Sequence, residues 1–176
     1  MNHFEIIKEL ISMMKKDQKM RKKWAESDFD MKCFDFDTNN HNKKRIKEII
    51  SDMKEWPKIS EYGKEACEAA WVLVQHLEKD DLDFREKALK MMRDLSENEV
   101  DKKLIAKLED RNMVMQGRPQ IYGTSFEINF EKGTTRPHDF LGSLEELNKR
   151  RQRMGLDKIE SHIKRAEQSL KNLKNN

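Results

Sequence analysis

Apolar residues recur at every third or fourth position along most of this chain, and that spacing predicts a bundle of helices. Over 3–24, Phe4, Ile7, Leu10, Ile11 and Met14 share one helical face. A second helix, about 42–54, carries Ile46, Ile49, Ile50 and Met53. It must stop before Trp56-Pro57, because the residue preceding a proline is pushed out of the α region. Between the two, 25–41 has no clean period and reads as a connecting loop rich in turn and cap residues. In the third helix, about 61–78, Ala66, Ala69, Ala70, Leu73, Val74 and Leu77 form one stripe. Trp71 and Val72 fall outside it, so AAWVLV is apolar nearly all the way round, as suits the centre of a domain. That helix ends in Gln75-His76, two polar side chains delivered from a core element.

Further helices follow at about 82–95, with Phe84, Ala88, Leu89, Met92 and Leu95, and at about 99–115, with Val100, Leu104, Ile105, Leu108 and Met115. The pattern then breaks. Glycines, prolines and the alternation of Phe126, Ile128 and Phe130 mark a loop insertion over 116–139 with a small β-hairpin near 121–131. Helix resumes over about 143–174, interrupted near Gly155. Leu156, Ile159, Ile163, Ala166, Leu170 and Leu173 make a heptad-like seam in a C-terminal amphipathic helix, 156–176, with a polar tail. The seam has two destinations open to it, its own domain or a second copy in a homodimer through 156–173. The fold class is mainly α, a single helical domain over 1–176 built as a compact multi-helix domain around a buried central helix.

At 176 residues the chain can bury a core without a metal or disulfide staple. Charged residues are 39% of it, yet Lys+Arg 36 nearly balances Asp+Glu 33. Interspersed signs are expected of salt-bridged helix surfaces, and no nucleic acid polymer is expected as a partner. Cys33 and Cys67 lack metal-ligand or redox spacing and read as ordinary thiols of a reducing compartment. The start, MNHFEIIKELISMMKK, puts a charge in every turn, unlike a signal peptide. No run approaches the roughly 20 apolar residues of a bilayer span, so no membrane partner and a cytoplasmic location are expected.

Signatures of phosphate-cradling loops, zinc proteases and nucleophile elbows are missing. Candidate chemistry therefore rests on polar residues at positions where the helical period calls for apolar ones. His76, at the edge of the central stripe, is either a core histidine bonded to a carbonyl or a general acid–base group. Arg111 follows Leu104 and Leu108 and so falls inside the stripe of its helix. Its partner is either a carboxylate (Asp110, Asp37 or Asp17) or an anionic ligand held by the planar fork. Next comes Gln116-Gly117-Arg118-Pro119-Gln120-Ile121-Tyr122-Gly123-Thr124, where Gln, Tyr and Thr sit among glycines that let backbone approach closely. Arg150, Arg151 and Arg153 read as a solvated basic face. Asp17, Gln18 and Arg21 are either a surface cluster or one side of a polar site. Five histidines are scattered, so no metal site is expected, and no cofactor.

The ordered set Asp17-Gln18-x-x-Arg21, Trp56-Pro57, Ala69-Ala70-Trp71-x-Leu73-Val74-Gln75-His76, Leu108-x-Asp110-Arg111, Gly117-x-Pro119-Gln120-x-Tyr122-Gly123-Thr124 and Arg150-Arg151-x-x-x-Gly155-Leu156 resembles a widespread bacterial family catalogued as a domain of unknown function. The resemblance covers roughly residues 10–165, and its strongest parts are the A-A-W-x-L-V-Q-H helix and the Q-x-Y-G-T loop. Glu55 stands where that family usually has Gly, and Ser125 where it commonly has Gln. The resemblance implies that Gln75, His76, Arg111, Gln120, Tyr122 and Thr124 form one recurring set.

Two functions are consistent with these features. One is a polar pocket for a small anionic molecule, nucleotide-like or phosphate-bearing, with or without turnover. There His76, Arg111 and Tyr122 would be catalytic, and Gln75, Gln120, Thr124, Asp17 and Arg21 would bind the ligand. The other is a non-enzymatic protein-interaction module working through the C-terminal helix.

Overall fold

A computed structural model of the protein describes residues 2–129 and 132–174, with 171–174 as backbone alone. Among the described residues the chain is mostly helical, with eight α-helices and one two-stranded antiparallel hairpin, the mainly α architecture that the periodicity predicts. Where the sequence reads as one helical domain, the residues group into two compact units, Met1–Val100 and Asp101–Asn176.

The first unit holds α1 (His3–Glu26), α2 (Phe36–Met53), α3 (Ile59–Tyr62), α4 (Lys64–Gln75) and α5 (Leu82–Arg93). Asn2 and Glu5 start α1 with a reciprocal capping box. The segment expected to be loop through residue 41 is partly helical, since α2 begins at Phe36. Asp35 sets that start by accepting the Thr38 N–H at 2.9 Å. Gly63, at φ +77, splits the expected third helix into α3 and α4.

α4 packs against α1, α2, α3 and α5, the central place its apolar girth calls for. Ala66, Ala69 and Ala70 are at most 1% exposed, and their small side chains let the neighbouring helices come close. Leu10 and Met13 of α1, Ile46, Ile49 and Ile50 of α2, and Met92 of α5 complete this core.

The second unit holds α6 (Lys102–Met115), β1 (Phe126–Asn129), β2 (Thr134–Pro137), α7 (Leu144–Arg153) and α8 (Ile159–Lys174). β1 and β2 pair from Phe126↔Pro137 to Asn129↔Thr134. The hairpin thus begins later than residue 121, because 120–124 is a loop pinned to α6, and Phe130 lies outside the described residues. α8 lies along β2, and its His162 stacks on Phe126 with ring centroids 4.7 Å apart. Of the seam, Ile159 and Leu170 are buried and Ile163 and Ala166 half-buried, while the side chain of Leu173 lies outside the described residues. Among the described residues no helix is long and apolar enough to cross a membrane.

Candidate functional site

In the first unit, three residues singled out from the sequence meet at one carboxylate. Asp17 shares the inward face of α1 with Leu10, Met13 and Met20 and is 2% exposed. Its Oδ2 lies 2.8 Å from Nδ1 of His76. Arg21 donates from Nε to both oxygens, at 3.1 and 3.2 Å, and Gln18 donates from Nε2 at 3.1 Å. Arg21 also donates from Nη2 to Oδ1 of the buried Asn39, at 3.3 Å. Burial pushes the Asp17 carboxyl up, but the hydrogen bond and charge of His76, together with Arg21, outweigh it and hold the pKa below the ordinary 3.8. The Arg21 and His76 side chains stay partly exposed, at 25% and 18%.

His76 is the C-terminal cap of α4, and Arg85 of α5 holds that turn. Arg85 is fully buried and donates from Nη1 to the carbonyls of Val74, Gln75 and Leu77 at 3.2, 2.7 and 2.8 Å. The chain on both sides of His76 is therefore fixed by one guanidinium, and Gln75, half-buried, enters this network through its carbonyl. Nδ1 of His76 is thus committed to the Asp17 carboxylate.

The second unit corrects two expectations. Arg111 is exposed, and its neighbour Asp110 is fully buried. The stripe drawn through Leu104 and Leu108 is off by about one residue's rotation, since the buried face runs through Ile105, Leu108, Asp110 and Met113. Asp110 Oδ1 accepts the N–H groups of Ile121 and Tyr122 at 2.8 and 2.9 Å, and Oδ2 accepts both the N–H and the hydroxyl of Thr124 at 2.8 Å. Burial still pushes the Asp110 carboxyl above its ordinary value, against these four bonds.

Arg150 and Arg151, expected on a solvated face, instead tie α7 to the same loop. Arg151 is fully buried and donates to the carbonyls of Tyr122, Gly123 and Asp157 at 2.7, 3.1 and 2.7 Å. Arg150 donates to the carbonyl of Ile121 at 2.7 Å and to that of Leu141, while Arg153 is exposed. Gln120, also fully buried, uses its amide on the Ser125 carbonyl, the His138 carbonyl and the Ser125 N–H, at 3.1, 2.9 and 2.7 Å. Gln120 thus spends its amide on Ser125 and His138, and Thr124 its hydroxyl on Asp110 of α6. Tyr122 joins it through its main chain, with a half-buried side chain.

Two further polar residues stand at apolar positions of their helices. Arg85 precedes Leu89 and Met92 by four and seven residues, and Arg151 follows Leu147 by four. Both are fully buried cations, legible from that spacing. Asn39 is carried by the part of α2 expected to be loop, which hid its period. Among the described residues no three or more His, Cys, Asp or Glu side chains are grouped to hold a metal ion.

Compared with known families, residues 4–174 match the Family of unknown function (DUF6624). The chain belongs to that family. Comparisons with curated proteins and with solved structures gave no match. In this DUF6624 chain the singled-out residues sort into two clusters, one around Asp17 in the first unit and one around Asp110 in the second. Ser125 meets Gln120 through its main chain alone, so the loop clamp does not depend on which side chain stands at 125.

Proposed function

We propose that the first unit binds a small anionic, phosphate-bearing molecule at the Asp17–Arg21–His76 cluster, and that His76 moves a proton on it. The observation that carries this reading is a buried carboxylate that gathers an imidazole and a guanidinium, both of which keep part of their surface in solvent. Neutralised behind, the guanidinium is oriented in front, where its planar edge suits phosphate oxygens. Asp17 orients His76 and touches no ligand. Arg21 grips the anion, Nε2 of His76 gives or takes the proton, and the side chain of Gln75 adds a neutral contact. Gln120 and Thr124 serve the fold of the second unit in this reading, and Arg111 and Tyr122 carry no step of it.

A thermal-shift screen with inorganic phosphate, nucleoside monophosphates and sugar phosphates tests it. A ligand at about 100 times its dissociation constant stabilises the fold by roughly 2.7 kcal/mol, a shift of several degrees. Arg21→Gln should abolish the shift in a protein that still melts cooperatively. His76→Asn should keep binding and lose any turnover. No shift with any of these anions, or an equal shift in Arg21→Gln, would overturn the proposal. A protein-interaction module working through α8 has less support, because Ile159 and Leu170 are buried within the chain and His162 stacks on Phe126.

A further inference from the structure

A cavity of the first unit, of about 290 Å³, shares no residue with the Asp17 cluster. It opens between the first turn of α1, the last turn of α2 and α3. Ile6, Ile49 and Met53 supply apolar lining, and His3 and Tyr62 an aromatic wall with ring centroids 4.6 Å apart. Asp52 and Glu55 add carboxylates.

Four features of this cavity are favourable to positive charge. Tyr62 is only 6% exposed, and its hydroxyl, which keeps some contact with solvent, has no hydrogen-bond partner among the described residues. Asp52 has no ion-pair partner among the described residues. Glu55 pairs with Lys58 at 3.0 Å, but Lys58 also serves Glu61 at 3.1 Å, so two carboxylates share one ammonium and a negative charge is left over. Finally, the carbonyl end of α2, the negative end of its dipole, lies here with no basic side chain in its last turn, Lys54 standing at the cap itself.

We infer that this cavity binds a primary ammonium on a short apolar body. The ammonium would donate to the Asp52 carboxylate and to the Tyr62 hydroxyl oxygen, close to the aromatic faces, while the hydrocarbon lies on Ile6, Ile49 and Met53. The volume falls just below the range of roughly 300–1,000 Å³ typical of drug-sized ligands, so the amine is a small one.

The test is a titration of the full chain with n-butylamine, followed by NMR of the His3 and Tyr62 rings, with n-butanol as the uncharged isostere. We expect saturable shifts, with butylammonium binding about tenfold more tightly than butanol, a margin that Asp52→Asn removes. Tyr62→Phe should also weaken the amine. Asp52 is exposed, so its variant should melt like the wild type and isolate the charge. Equal affinity for butanol, an unchanged affinity in Asp52→Asn, or no saturable shift would each overturn the inference.

Discussion

Asp110 takes the main-chain N–H and the hydroxyl of Thr124 on a single carboxylate oxygen, each at 2.8 Å. Its other oxygen takes two more N–H groups, so a residue of α6 organises the loop that follows it. Asp110→Asn turns an amide donor toward groups that are themselves donors, and should cost about 2–4 kcal/mol in urea denaturation. Thr124→Ala keeps the N–H bond and should cost about 1 kcal/mol. An Asp110→Asn protein as stable as the wild type would mean that the loop holds without the carboxylate.

Asp17 and Asp110 should tilt the pH dependence of stability in opposite directions. The Asp17 pKa is depressed on folding, so its contribution is present above the ordinary 3.8 and lost as pH falls through the folded value. The Asp110 pKa is raised, so its contribution is full below 3.8 and lost as pH rises through the folded value. Urea midpoints measured across the acid range should show a shallower loss below 3.8 in Asp17→Asn. In Asp110→Asn the decline with rising pH just above 3.8 should vanish. A profile that neither substitution alters would remove both carboxyls from the acid response.

How much of this was legible follows from which force sets each feature. The helices and the central position of α4 come from apolar periodicity, which is local and can be read in Ala66, Ala69, Ala70, Leu73 and Val74. The start of α2 was not legible, because the cap made by Asp35 overrides the weak pattern that follows it. Asp17, Arg21 and His76 are legible as candidates for one polar pocket, but their meeting at one carboxylate depends on how α1 and α4 pack. Arg111 was misplaced because one residue of helical rotation decides which of Asp110 and Arg111 is buried. No periodicity could reveal that Arg151 caps loop carbonyls, since its partners lie 28 and 29 residues away.

Gly123 should tolerate no side chain. Its φ is +62, and an added Cβ would sit 2.9 Å from Cδ1 of Ile159 and 3.4 Å from Cδ2 of Leu147. Gly117 offers the control, with φ +71 and nothing within 4 Å of an added Cβ. Gly117→Ala should cost about 1 kcal/mol from backbone strain alone. Gly123→Ala adds crowding to that strain and should cost about 2–4 kcal/mol. Thermal melts of the pair separate the two effects, and equal losses would show that α8 yields freely at Ile159.

Arg85 should act on His76 through the turn that carries it. Its guanidinium fixes the carbonyls of Gln75 and Leu77, the residues on either side of His76, so the imidazole reaches Asp17 from a braced turn. Lysine keeps the charge but lacks the planar fork, and Arg85→Lys should cost about 1–3 kcal/mol of stability. A merely structural role would stop there. A positioning role predicts in addition that the imidazole N–H signal protected by Asp17 broadens or disappears in NMR of the folded variant. Loss of that signal with the fold retained would place Arg85 behind the geometry of the cluster. An unchanged signal in a less stable protein would leave Arg85 as a cap for α4 and nothing more.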